Sequence, residues 1–118
     1  MKKILIVDDD SGILDALTVA IETSGYEVLG ILDARQIEKQ IASFIPDLIL
    51  MDLLLAGSDG TELTRKLKSN SATASIPIVI LSAHPSARVQ AQKAGADDFL
   101  AKPFNLDELL AKLRKFIP

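Results

Sequence analysis

Three consecutive aspartates, Asp8, Asp9 and Asp10, follow directly on the apolar run Ile4-Leu5-Ile6-Val7, and a fourth, Asp52, closes a second run, Leu48-Ile49-Leu50-Met51. Brought together, Asp8, Asp9 and Asp52 would repel and raise one another's pKa. A hard divalent cation resolves that conflict. Mg2+ favours octahedral oxygen ligands, keeps some of its waters, and takes a couple of protein carboxylates together with phosphate oxygens. Asp52 could then act as a carboxylate nucleophile towards phosphorus. Ser82 follows a third apolar run and Lys102 a fourth. A hydroxyl donor and an ammonium are groups that hold phosphate oxygens. Taken together, these residues describe phosphoryl transfer with charge offset by a metal.

Each residue also has a plainer reading. An acidic run after a strand is often a solvated loop with a helix cap, and Asp10 is placed to be that cap. Asp52 alone could simply end a strand, Ser82 could be a turn residue, and Lys102 a surface lysine. His84, the only histidine, is expected to be exposed near a helix start, with no catalytic or metal role. What favours chemistry is position, and position depends on the elements.

Short all-apolar runs at 4–7, 48–51 and 78–81 are the mark of strands buried on both faces, and 26–31 and 99–101 read as two more. Helices are expected between them. At 11–24, Leu14, Leu17 and Ile21 share a face and Gly25 follows as the closing residue. At 34–43, Asp33 stands ready as a cap, with Ile37 and Ile41 inward. Helices at 59–68, 85–94 (ended by Gly95) and 106–116 complete the set, the last with Leu109, Leu110 and Leu113 on its apolar face. Residues 69–75 read as a polar loop, and Pro77 sits comfortably at a strand start. Alternation of this kind implies βαβ units and a parallel sheet covered on both sides, hence an α/β, doubly wound fold of five strands and five helices. In such a fold the ligand site lies beyond the carboxyl ends of the strands. Asp8, Asp9, Asp52, Ser82 and Lys102 all stand there.

Composition narrows the field. A length of 118 residues suits one domain, 1–118, with one core. Apolar residues make up 48%, which argues against disorder, and with aromatics at 4% and no Trp the core must be aliphatic. A net charge of −3 argues against direct nucleic acid binding or an anionic membrane, since both demand a basic face. The absence of cysteine excludes disulfides and thiolate chemistry. Lys2 and Lys3 precede only four apolar residues, too few for a signal core or a membrane span. A cytoplasmic protein is the expectation.

The chain resembles response-regulator receiver domains over nearly its whole length. The matching segments are KILIVDDD (3–10), PDLILMDLL (46–54), SDG (58–60), IPIVILS (76–82) and GADDFLAKPF (95–104). Each is weak alone; in this order and spacing they are specific. The resemblance implies a flavodoxin-like, chemotaxis-receiver-like sheet of order 2-1-3-4-5. It implies Asp52 as the phosphorylated aspartate, Asp9 as the main metal carboxylate with Asp8 its acidic neighbour, and the backbone carbonyl of Leu54 as a further ligand to Mg2+ (or Mn2+). Ser82 matches the switch hydroxyl and Lys102 the site lysine. The bond from Lys102 to Pro103 is expected to be cis, and Phe99 matches the switch aromatic. Leu54 and His84 stand where relatives tune the lifetime of the phosphoryl group, and an apolar Leu54 is expected to hinder water. Ala56 stands where many relatives carry Pro, a departure expected to loosen the loop but to remove no chemistry.

The implied function is that of a two-component switch: a histidine kinase or phosphotransfer protein phosphorylates Asp52, the receiver taking part in its own phosphorylation and dephosphorylation without being a turnover enzyme. The last two helices and the strand between them then present a new face to a downstream target or output domain, or to a second copy in a homodimer. No output domain is expected within 118 residues; a stand-alone regulator and a piece of a longer one both fit. Two rivals remain. Asp8 and Asp10 form a D-x-D pair similar to that of haloacid-dehalogenase-type phosphatases, with Asp8 as nucleophile and Asp10 as acid/base, but the later acidic pair is missing after Lys102. A non-phosphorylated interaction module would have no use for Asp9, Asp52, Ser82 and Lys102 together.

Overall fold

The computed structural model describes residues 1–55, 58–84 and 86–118, and the backbone alone of Leu54 and Ser58. The aliphatic runs are strands: Lys3–Val7 (β1), Glu27–Ile31 (β2), Leu48–Asp52 (β3), Ile78–Ser82 (β4) and Asp98–Ala101 (β5). All pair in parallel, in the order β2-β1-β3-β4-β5. Among the described residues, five α-helices alternate with them: Ser11–Thr23 (α1), Ile37–Phe44 (α2), Gly60–Ser69 (α3), Ala87–Ala94 (α4) and, after β5, Leu106–Phe116 (α5). This is the flavodoxin-like arrangement expected from the sequence.

Alternation along each strand divides the core in two. Ile4, Ile6, Leu48, Leu50, Val79 and Leu81 face α1 and α5, meeting Leu14, Leu17 and Ile21 from one and Leu109, Leu110 and Leu113 from the other. Leu5, Val7, Ile49, Met51, Ile78 and Ile80 face the other layer, with Ile37 and Ile41 of α2, Leu67 of α3 and Ala91 of α4. Each large aliphatic side chain so buried contributes roughly 1.5–3 kcal/mol. The small Ala87, Ala91 and Ala94 let α4 lie close to the sheet.

The helix ends follow local chemistry. The Asp10 side chain accepts from the backbone N–H of Gly12 and Ile13, capping α1, and Asp59 accepts from Thr61 N to cap α3. Because Asp59 is the cap, α3 starts one residue later than its sequence suggested. Asp33 caps a 3-10 turn, Ala34–Gln36, before α2 proper. Gly95 closes α4 at φ +94, a conformation other residues adopt only with strain. Unanticipated is a two-stranded hairpin after β3, in which Leu54–Leu55 pairs with Ser58–Asp59. Ala56 and Pro85, which carried sequence expectations, lie outside the described residues. Among the described residues, no helix is long and apolar enough to cross a membrane.

Asp98 ties β5 to α5. Its carboxylate takes the N–H of Phe99 at 2.8 Å and the ammonium groups of Lys112 and Lys115 at 3.0 and 3.1 Å. Burial pushes its pKa up, but the Phe99 N–H and the two lysines together outweigh that and hold it below the ordinary carboxylate range. Its stabilising contribution is therefore present above the unfolded carboxylate value of about 4 and lost as pH falls through the depressed folded value. Asp98→Ala is expected to cost about 1–2 kcal/mol at pH 7. In urea denaturation the difference from wild type should shrink markedly below about pH 4.

Candidate functional site

Sheet register brings the polar residues together. Val7 is level with Met51, so the next residues, Asp8 and Asp52, emerge side by side from adjacent strands. Asp52 is level with Leu81, so Ser82 lies one step beyond it, and Ser82 is level with Ala101, so Lys102 lies a further step on. All five strands of the main sheet run the same way, so these side chains gather at its carboxyl end.

There, carboxylate oxygens of Asp8, Asp9 and Asp52 lie within 4.8 Å of one another. The three differ in exposure. Asp8 is 1% exposed, the Asp52 side chain 14%, and Asp9 is open to solvent. The Lys102 ammonium sits 3.2 Å from Asp52 Oδ1 and 3.8 Å from Asp8 Oδ2. Asp8 Oδ1 accepts from Asp10 N at 2.9 Å, but Asp8 Oδ2 is buried with no hydrogen-bond partner. Burial, above all, pushes the Asp8 carboxyl above the ordinary range. The charges of Asp52 and Asp9 push the same way, against the Asp10 N–H and Lys102.

A buried, unsatisfied carboxylate oxygen costs free energy unless something pairs with it. The donors around Asp8 Oδ2 are hard oxygens carrying excess negative charge, which is the set a divalent cation of the Mg2+ type prefers. The residues therefore fit such an ion. Asp10 stands apart from this cluster: its side chain is committed to the start of α1, which removes the acid/base required by the phosphatase reading.

Ser82 is 3% exposed, and its Oγ accepts from His84 N at 3.0 Å. His84 is exposed, as expected, with Nδ1 2.8 Å from Ser86 Oγ. The Lys102–Pro103 bond is cis. Phe99, on β5, is buried in the α2–α4 layer with the Arg88 guanidinium 5.3 Å from its ring centre. The Leu54 backbone is engaged in the hairpin opposite Asp59, whereas its side chain, for which shielding from water was expected, lies outside the described residues. The close approach of Gly60 to the end of β3 was missed by sequence reasoning. Its signal was the Ser58-Asp59-Gly60 segment, in which a cap is followed by a residue without a side chain.

Comparison with known proteins agrees with this geometry. The model of the response regulator receiver domain matches residues 4–114. The phosphate regulon transcriptional regulatory protein PhoB of Pseudomonas aeruginosa is 43% identical over 115 residues, which cover 96% of this chain and 50% of that protein. The chain thus spans about half the length of the curated relatives it matches. The argument from charge against nucleic acid accordingly reaches only these 118 residues. Among solved structures, the chemotaxis protein CheY4 of Vibrio cholerae superposes with a TM-score of 0.90 at 28% identity, covering 98% of each chain. The receiver domain of a Pseudomonas aeruginosa sensor histidine kinase, solved with a magnesium ion coordinated in its active-site cleft, gives 0.89 at 30% identity, covering 98% of this chain and 97% of that one. With the sheet order, the strand-end carboxylates and these matches in agreement, the chain belongs to the family of response regulator receiver domains of two-component systems.

Proposed function

We propose that this receiver takes a phosphoryl group onto Asp52 from the phosphohistidine of a histidine kinase or phosphotransfer protein in the cytoplasm. The observation that carries this reading is the Asp52 carboxylate, only partly exposed, with Lys102 at 3.2 Å and two further carboxylates within 4.8 Å. An Asp52 oxygen attacks phosphorus, the P–N bond breaks, and the imidazole departs with the electron pair and is protonated. An aspartyl phosphate remains. Lys102 and the Ser82 hydroxyl bind phosphoryl oxygens as charge shifts onto them. Mg2+ or Mn2+, held by Asp8, Asp9, Asp52 and the Leu54 carbonyl, would supply further positive charge against those oxygens. The magnesium in the similar sensor-kinase receiver supports this assignment.

The cycle closes by hydrolysis. Water attacks phosphorus, the bond to Asp52 breaks, inorganic phosphate leaves and the carboxylate returns. The protein is thus a switch rather than a turnover enzyme. Between these events Ser82 is drawn towards the phosphoryl group, Phe99 follows, and the face formed by α4, β5 and α5 changes what it offers to a downstream partner or output domain.

The test is intact mass after incubation with Mg2+ and acetyl phosphate or phosphoramidate. A single phosphoryl adduct is expected, and chelator added before the donor should prevent it. No adduct from small donors or from a phosphorylated cognate kinase would overturn the proposal.

A further inference from the structure

Gly60 opens α3 against the end of β3. A Cβ built there would lie 2.6 Å from the Asp52 carbonyl oxygen, 2.8 Å from that of Leu53 and 3.0 Å from Leu53 Cα. These are backbone atoms, which cannot swing aside as a side-chain tip can. Gly60 N donates to Leu53 O at 2.9 Å, and Gly60 O accepts from Thr64 Oγ1 at 2.7 Å. The preceding residue, Asp59, pairs with Leu54 across the hairpin and caps α3. The start of α3 is therefore held on the chain between Asp52 and Leu54 by two hydrogen-bonding arrangements, and the missing Cβ sets how close it comes.

We infer that Gly60 is a positioning residue for metal binding: its lack of a side chain fixes the Asp52–Leu54 backbone, and through it the Asp52 carboxylate and the Leu54 carbonyl. This rests on the proposal that those two groups hold the cation. Any Cβ must push apart either the Gly60–Leu53 hydrogen bond or the end of β3. Both movements shift the two groups relative to Asp8 and Asp9, which follow a different strand, β1, and have no reason to move with them. Ligand positions tolerate little error, and lost support around a metal site typically weakens affinity about ten- to hundredfold.

Gly30 provides the comparison. It is on the edge strand β2, and a Cβ there meets Leu14 Cδ1 at 2.7 Å, a clash with a flexible side-chain end rather than with backbone. Gly30→Ala should thus disturb packing without moving the metal ligands. The experiment titrates MgCl2 alone into wild type, Gly60→Ala and Gly30→Ala, with affinity read by calorimetry and folding by circular dichroism. The expected result is a Kd about ten- to hundredfold weaker in Gly60→Ala and within about twofold of wild type in Gly30→Ala. An unchanged Kd in Gly60→Ala, or an equal loss in both variants, overturns the inference. Should wild type itself bind no Mg2+, the underlying metal assignment falls, and the inference with it. Should Gly60→Ala not fold, the wild-type amide spectrum decides. The Gly60 N–H is expected to shift on Mg2+ addition with the same Kd as the Asp9 N–H, and a stationary Gly60 signal overturns the inference.

Discussion

Asp52→Asn is expected to abolish the phosphoryl adduct that wild type acquires from acetyl phosphate and Mg2+, with no loss of folding. The carboxamide has nearly the shape of the carboxylate but is not a nucleophile towards phosphorus. Asp8 cannot readily substitute, because it is 1% exposed, and Asp10 is engaged in capping α1. The usual worry, that the variant is inactive because it is unfolded, is addressed by the electrostatics. The wild-type cluster holds three carboxylates near one ammonium. Neutralising one relieves repulsion, so the melting temperature in chelator should stay level or rise. Intact mass and thermal melting on the same samples check both halves. An adduct persisting in Asp52→Asn would move the nucleophile elsewhere and refute the assignment.

How far this site could be read from the sequence follows from how strands work. Five short aliphatic runs, separated by helical periods, leave few ways to fold, and the residue after each run must appear at the same edge of a parallel sheet. That is why Asp8, Asp52, Ser82 and Lys102 could be grouped before any coordinates. Asp10 could be recognised as the cap of α1; what the pattern could not tell was that Asp8 would be buried and Asp9 exposed. Strand alternation ends at Val7; Asp10 is then held locally by the N–H groups of Gly12 and Ile13, whereas the placing of Asp8 beside Asp52 depends on a partner distant in sequence. The arrangement of Arg88 over Phe99 is likewise a contact between separate elements, on which neither local sequence comments.

The same distinction runs through the fold. Gly25 and Gly95 announced the ends of α1 and α4, because a left-handed residue is needed there and glycine adopts it freely. The end of α2 carries no such mark. Ile45 takes a φ of +54, costly for a β-branched residue, and only Pro46 signals that the helix cannot continue. Residues 69–75 looked like a solvated loop by composition, yet Thr73 is buried and donates to Leu67 O at 2.6 Å, while Lys68 reaches Ala74 O and Ile76 O. Polar residues are read as exposed until their partners are known, and these partners lie across the loop.

Asp8→Asn is expected to move stability and metal affinity in opposite directions. In wild type without metal, Asp8 is almost wholly buried, one of its oxygens lacks a hydrogen-bond partner, and its pKa is raised mainly by that burial. A raised folded pKa means the fold favours the protonated form. Its contribution to stability is therefore greatest below the unfolded value of about 4 and is lost as pH rises through the folded value. At pH 7 the metal-free protein bears the cost of an ionised Asp8. Asparagine is neutral at every pH and can keep the bond from Asp10 N–H through its Oδ1. In chelator at pH 7 the variant should be more stable by about 1–2 kcal/mol, and the gain should fade as acid protonates wild-type Asp8. Its Mg2+ affinity should be at least about tenfold weaker, since a charged ligand is lost. At a hundred times the wild-type Kd, bound metal stabilises wild type by about 2.7 kcal/mol but a tenfold weaker variant by only about 1.4, so Mg2+ should cancel most of the variant's advantage. Urea denaturation with chelator and with Mg2+ reads both effects. A variant no more stable than wild type in chelator would show that Asp8 is not held at a cost, and a variant with wild-type Mg2+ affinity would remove it from the ligand set.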